Sequence, residues 1–232
     1  MSPPLTPQAE ALRQRLRGEF RARRRAFVGP PRAQAEVEIS RQLIELFSTL
    51  SSTEEVLEVG AYRAFDGEPS LALFESWAQG EEKVRLSYAQ VAEPPARAPQ
   101  LARESDQRGQ RSTGSPEAAP LRFVRATRWG RWRGSCPRPE GPPVPWETLT
   151  HLLVPGVLFD EEGYRIGMGG GYYDRSLSGE GGPVSLGIAF AFQRLERLPR
   201  APWEVPLRAV LCETGRYQSG TTGEGPLERW FR

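Results

Sequence analysis

Between Leu152 and Leu177 the chain reads LLVPGVLFDEEGYRIGMGGGYYDRSL, which sets Gly167, Gly169, Gly170 and Gly171 just after Arg165. Glycines let the backbone turn through positive φ and approach a ligand closely, and successive N–H groups in such a turn form a cup for an anion. With a cation beside it, the natural ligand is phosphate. The pattern is not a Walker loop, because no Lys-Ser or Lys-Thr pair follows the glycines. It is not the dinucleotide fingerprint either, because Tyr172 stands where that motif needs its last glycine. Taken alone, the glycines suit a phosphate cradle and a tight structural turn equally. Arginine is concentrated a second time in Arg13–Arg25, where seven arginines face Glu19 alone. Arg13 and Arg17 lie one helical turn apart, with Arg21 and Arg24 continuing that face. Such a row fits phosphate oxygens, and it also fits a solvated helix face.

Other reactive residue types carry less. His151 is the only histidine and has no serine or cysteine nucleophile pattern near it, so it is not read as a base. Cys136 and Cys212 form no CxxC pair, which argues against structural zinc and disulfides and for a reducing, cytoplasmic setting. The stretch Arg125–Arg133 mixes arginine with tryptophan and could stack nucleic-acid bases. It reads better as a strand and turn whose tryptophans cover the core or a binding pocket. Of the 31 basic residues only Lys83 is lysine, and 29 acids leave a net charge of +2, which gives no global argument for a nucleic-acid partner. No run of about 18 apolar residues occurs, and Met1–Glu10 lacks a signal-like apolar stretch, so neither membrane spanning nor secretion is expected.

The elements that must hold these residues follow from periodicity. Leu12, Leu16, Phe20 and Phe27 fall on one side of a helix over Ala9–Phe27, and Ile39, Leu43, Leu46, Phe47 and Leu50 on one side of a helix over Ala33–Leu50. Val56–Tyr62, a helix opening at Pro69 and running through Trp77, and Val84–Tyr88 read as a β-α-β unit. Leu121–Ala126, His151–Val154, Val184–Phe190 and Ala209–Cys212 read as buried strands, and Tyr172–Leu177 as a helix. Strands alternating with helices predict an α/β fold with helices packed on the faces of a sheet. The chain is read as one domain over residues 1–232. Glu93–Pro120, rich in Pro, Gly and Ser with Leu101 as its one large apolar residue, is expected to be a flexible insertion, and Cys136–Pro145 a shorter loop.

The run PGxxFDxxGxRxGxGxGYYDR, matched from Pro155 through Arg175, resembles the signature of the 5-formyltetrahydrofolate cyclo-ligase family, the methenyltetrahydrofolate synthetases. Arg13-Gln14-Arg15-Leu16-Arg17 is similar to the family's K-x-x-L-R opening, with arginine in place of lysine at 13. Glu68, after the first predicted strand, matches a glutamate that contacts the folate. The resemblance implies a three-layer α/β sandwich with a mostly parallel central sheet and helices on both faces. It also implies ATP- and Mg²⁺-dependent closure of 5-formyltetrahydrofolate to 5,10-methenyltetrahydrofolate, in a monomer or weak homodimer that takes the folate as its small-molecule substrate.

The roles it implies fall on particular positions. ATP would meet Arg13, Arg17 and the run Arg165, Ile166, Gly167, Met168, Gly169, Gly170, Gly171, Tyr172 and Tyr173, with Arg165 as the clamp for phosphoryl transfer and no protein nucleophile. Folate would meet Arg63, Glu68 and Tyr172. Magnesium would meet Asp174 and Glu204; the family has aspartate where Glu204 stands, and an acidic residue where Arg208 stands. Those departures and the insertion keep a second reading open, a diverged relative that binds nucleotide or folate with weak or no catalysis.

Overall fold

The structure, a computed structural model, describes residues 5–53, 56–91, 121–132, 136–179 and 181–218. Helix α1 (Pro7–Ala26) begins at Thr6, whose hydroxyl accepts the Ala9 N–H at 3.2 Å, with Pro7 preset for the first turn. Helix α2 (Pro30–Thr53) buries the predicted stripe of Ile39, Leu43, Leu46, Phe47 and Leu50. Strand β1 (Leu57–Ala61), helix α3 (Ala72–Ala78) and strand β2 (Val84–Gln90) form the expected unit, with β1 and β2 parallel from Leu57 beside Val84 to Ala61 beside Tyr88. Strand β3 (Arg122–Val124), the hairpin β4 (Arg128–Trp132) and β5 (Cys136–Glu140), and the short β6 (Pro143–Val144) follow. Next come β7 (His151–Pro155), β8 (Leu158–Asp160), β9 (Arg165–Ile166) and helix α4 (Tyr172–Leu177). The described chain closes with β10 (Val184–Ile188), β11 (Arg194–Leu195), β12 (Ala209–Cys212) and β13 (Gly215–Gln218).

The main sheet has eight strands in the order β13-β12-β10-β7-β1-β2-β3-β6. Its inner run from β12 to β2 is parallel, and the strands beyond are antiparallel. Alternation of side chains divides the core. Leu57, Val59, Leu153, Leu186, Ile188 and Leu211 pack with Phe47 of α2 and Phe74 of α3 on one face. Leu152, Val154 and Val210 face Phe123 and Phe159 on the other, where Tyr172, Tyr173 and Leu177 of α4 join them. His151 through Val154 are all buried because a central parallel strand is covered on both sides. Truncating Phe47, which has no exposed surface, to alanine is expected to cost about 3–5 kcal/mol.

Two sequence expectations need correcting. Helix α1 meets the main-sheet core at its C-terminal end, through Phe27 beside Phe190 at 4.9 Å, and its other apolar residues dock elsewhere. Its Leu16 and Phe20 pack with Val157, Leu158, Ile166 and Leu198 around a small three-stranded sheet, β11-β8-β9, because the excursion after β7 supplies its own apolar surface. Cys136–Pro145 is not a loop but contains β5 and β6. Pro137 and Pro139 sit opposite Arg131 and Trp129 in a two-stranded edge hairpin, where a missing N–H can face away from the partner strand. The segment 93–120 lies outside the described residues.

The strand order reverses between β1 and β7. From β1 the chain passes to β2 on one side, whereas from β7 it passes to β10 and β12 on the other, and β1 and β7 are neighbours. A parallel sheet opens a crevice at such a reversal, beyond the carboxyl ends of the two strands. The glycine run and Glu68 both follow those ends.

Candidate active site

The turn after β8 is closed by Asp160, whose Oδ1 accepts the N–H groups of Glu162 at 3.0 Å and Tyr164 at 2.9 Å. That turn delivers Arg165 into the interior, with 5% of its surface exposed. Its Nη2 donates to Asp174 Oδ1 at 2.8 Å and its Nη1 to the Val205 carbonyl at 3.0 Å. Burial lowers the Arg165 pKa, opposed chiefly by the Asp174 carboxylate. Along the glycine run, Gly169 has φ 97° and Gly171 φ 62°, conformations that side chains rarely adopt. Helix α4 has six residues, too short to lend much dipole. An anion here therefore depends on the loop and on arginines brought from elsewhere.

Helix α1 brings them. Arg17 Nε donates to the Gly167 carbonyl at 2.9 Å, across 150 residues, and its Cζ lies 3.9 Å from where a β-carbon on Gly169 would stand. The Arg17 pKa is lowered by burial and then by repulsion from Arg13, so an anion at this point would relieve both. Arg13 reaches the segment that follows β11. Its Nη1 donates to Glu204 Oε2 at 3.0 Å and its Nη2 to Glu204 Oε1 in a closer contact, and Nη1 also donates to the Pro199 carbonyl. Glu204 Oε2 additionally accepts the Ala201 N–H at 2.9 Å. The two side chains are 8% and 7% exposed, and removing one partner of such a buried pair costs about 3–5 kcal/mol.

The arginine row of α1 is thus not a solvated face. Arg13 and Arg24 are buried with Phe20 between them, while Arg21 and Arg25 lean on Asp66. Arg24 has no exposed surface; its Nε donates to the Asp66 carbonyl at 2.9 Å and its Nη1 to the Gly156 carbonyl at 2.8 Å. Asp66 is in the left-handed region at φ 53°, and burial works to raise its pKa, but Arg21, Arg24 and Arg25 outweigh it and hold the carboxyl below its ordinary value. The turn Asp66-Gly67 that results presents Glu68, 8% exposed, whose Oε2 accepts the Phe65 N–H at 3.0 Å. Burial pushes the Glu68 pKa up to about 7, against the pull of Arg24 and that N–H. Tyr173 is raised by burial and by Glu68 and lowered by Arg165, so its phenol is within electrostatic reach of both.

The crevice therefore gathers Arg13, Arg17, Arg165, Gly167–Gly171, Tyr173, Asp174, Glu204 and, on its far side, Glu68. Ile166 is core, with no exposed surface, whereas Met168 is 44% exposed. Tyr172 lies beneath the Arg175 guanidinium, 5.1 Å from its ring centre. Arg63 donates to Glu75 at 2.8 Å and covers Trp129 at 5.1 Å, at the β4–β5 hairpin. The nucleic-acid platform is not formed as an array of unpaired cations: Arg125 is bound to Glu58 and Arg128 to Glu140. Each of the two carboxylates expected to share magnesium is already bound to an arginine, Asp174 to Arg165 and Glu204 to Arg13. Among the described residues no group of three or more His, Cys, Asp or Glu could hold a metal ion. Sequence reasoning missed Asp66 and Tyr62, whose hydroxyl donates to the Pro69 carbonyl at 2.8 Å; the Asp-Gly pair at 66–67 was the available signal.

A mostly parallel sheet with helices on its faces, and a glycine run met by arginines of an N-terminal helix, defines an α/β protein with a cationic loop site. The 5,10-methenyltetrahydrofolate synthetase of Aquifex aeolicus has a similar structure, with a TM-score of 0.65 and 25% identity over 93% of this chain and 97% of that one. The synthetase of Mycoplasma pneumoniae shares the fold at a TM-score of 0.61 and 20% identity, over 87% of this chain and 98% of that one. In sequence, the 5-formyltetrahydrofolate cyclo-ligase of Haemophilus influenzae is 41% identical over 70 residues, 29% of this chain and 37% of that relative's length. The profile of the 5-formyltetrahydrofolate cyclo-ligase family matches residues 9–213, and the chain belongs to that family.

Proposed function

We propose that this protein closes 5-formyltetrahydrofolate to 5,10-methenyltetrahydrofolate at the cost of ATP. An amide-type formyl oxygen is a poor leaving group. Its attack on the γ-phosphorus forms an O–P bond as the bond to the β-phosphate oxygen breaks and ADP departs. Nitrogen 10 then attacks the activated carbon, the C–O bond breaks with release of phosphate, and N10 gives up its proton. Such transfer needs positioning and charge stabilisation more than a nucleophile. The observation that carries the reading is Arg17 lying on the glycine loop with Arg165 and Asp174 beside it. Arg13, Arg17, Arg165 and the loop would hold the triphosphate. Glu68, with a pKa near 7, would face a polar edge of the folate and exchange a hydrogen bond with it in either protonation state.

Asp174 would hold the Mg²⁺ that accompanies ATP, which would neutralise charge on the phosphates. The reading takes the chain as one cytoplasmic domain acting as a monomer or weak dimer, with neither nucleic acid nor membrane as partner. The described residues contain no helix long and apolar enough to cross a membrane. The assay is direct: purified protein, 5-formyltetrahydrofolate and Mg·ATP should give the methenyl absorbance together with ADP. A folded protein that makes no product would overturn the catalytic claim. Tight ATP or folate binding without turnover would support the binding-only relative.

A further inference from the structure

We infer that Glu204 is a positioning residue for Arg13 and, through it, for Arg17, and that it is not a ligand of the metal accompanying ATP. This inference rests on the nucleotide-binding half of the function proposed above. Three N–H groups already occupy the Glu204 carboxylate: two from the Arg13 fork and one from Ala201. Both side chains are inside, so a carboxylate that turned toward a metal would abandon a buried guanidinium. The segment carrying Glu204 is anchored on its other side as well, since the Val205 carbonyl accepts from Arg165 and the Val205 N–H reaches Asp174 Oδ1 at 3.4 Å. Glu204 therefore stands between two arginines of the crevice. It ties α1 to the same strip of backbone that holds Arg165. One turn along α1, Arg17 is thereby set over Gly167 and Gly169.

The chemistry of the pair agrees with its place. A planar guanidinium matches both oxygens of a carboxylate, and lysine cannot reproduce that fork. The fold bonds Arg13 and Glu204 to each other across 191 residues, and each satisfies a charge that the other's removal would leave buried. A shorter carboxylate at 204 would withdraw from the fork, so Glu204→Asp is a disruptive change here despite its chemical likeness.

The test compares Glu204→Gln, Glu204→Asp, Arg13→Lys and Asp174→Asn. ATP affinity is measured by calorimetry, and Mn²⁺ affinity by electron paramagnetic resonance titration in the presence of ATP. Circular dichroism confirms that each variant is folded. Both Glu204 variants and Arg13→Lys are expected to weaken ATP binding about tenfold, the effect of one charged hydrogen bond. Mn²⁺ affinity should be unchanged in the Glu204 variants and should fall in Asp174→Asn. Arg13→Ala and Glu204→Ala combined should weaken ATP binding no more than the worse of the two alone. Weakened Mn²⁺ binding in Glu204→Gln to the level of Asp174→Asn would overturn the inference, as would additive effects of the two alanines or ATP binding in Glu204→Asp equal to that of the unaltered protein. If the unaltered protein binds ATP without turning over folate, the catalytic reading fails and these titrations still decide. If it binds no nucleotide, both fall.

Discussion

The two halves of the crevice manage buried charge in opposite ways. Where α1 meets the glycine loop, each buried arginine is given a carboxylate: Arg13 has Glu204 and Arg165 has Asp174. Beyond β1 the buried group is itself a carboxylate, Glu68, held by a backbone N–H and by attraction to Arg24. An ion pair keeps a charge inside by compensating it, whereas desolvation alone moves the group's pKa. The first half is thus organised by geometry, and the second carries a group that titrates near pH 7. The difference suits one side to a polyanion and the other to a ring system whose edge both donates and accepts.

The sharpest way to break this contrast is Asp174→Asn. It leaves Arg165 buried beside a neutral amide, and kcat/KM is expected to fall by about 10²–10³, the range seen when a preorganised charge contact is removed. A steady-state assay of both substrates would check it, and a fall below tenfold would remove Asp174 from the site. Glu68→Gln comes next. The folded pKa of about 7 lies above the ordinary 4.5, so this group's contribution to stability is fully present below pH 4.5 and is lost as pH rises through 7, amounting to about 3 kcal/mol. Denaturant unfolding between pH 5 and pH 8 should show that slope, and Glu68→Gln should flatten it.

His151, on β7, slopes the other way. Burial lowers it from 6.5 to about 4, so its contribution is present above pH 6.5 and is lost as pH falls toward 4. With Glu68 removed, acid destabilisation should therefore stand out more steeply. Arg17→Ala should weaken ATP binding about 10- to 100-fold and leave folate binding unchanged, which calorimetry with each ligand separately would test. Equal losses for both ligands would erase the division between the halves. The smallest effect is Gly169→Ala. At φ 97° a β-carbon is strained by about 1–2 kcal/mol, read as a lower unfolding midpoint with the chemistry of Glu68 untouched.

What could be read in advance was what is local. The α2 stripe and the β1-α3-β2 unit depend on residues close in sequence and are present as expected, with α3 opening at Ala72 rather than Pro69. Strand β4 lies within the stretch Arg125–Arg133 that reads as a strand and turn, but its partner β5 escaped because Pro137 and Pro139 argue against a strand unless its edge position is known. The docking of α1 escaped for a different reason. The periodicity left the face of Arg13 and Arg24 open to phosphate or to solvent, whereas each lies inside, received by a carboxylate or carbonyl from a distant segment. No periodicity announces a partner 191 residues away, so the Arg13–Glu204 pair became visible only in three dimensions.

Helix α1 rests on the small sheet β11-β8-β9 through Phe20 and Leu16 and touches the larger core, which α2 shares with the main sheet, through Phe27 at its end. Its opening therefore requires loss of fewer apolar contacts than global unfolding does. Native-state hydrogen exchange should divide the protein into two cooperative units, with the amides of α1 exchanging well before those of α2. Because Arg13 and Arg17 travel with the weaker unit, bound ATP would slow exchange most in a helix that contributes little to the main core.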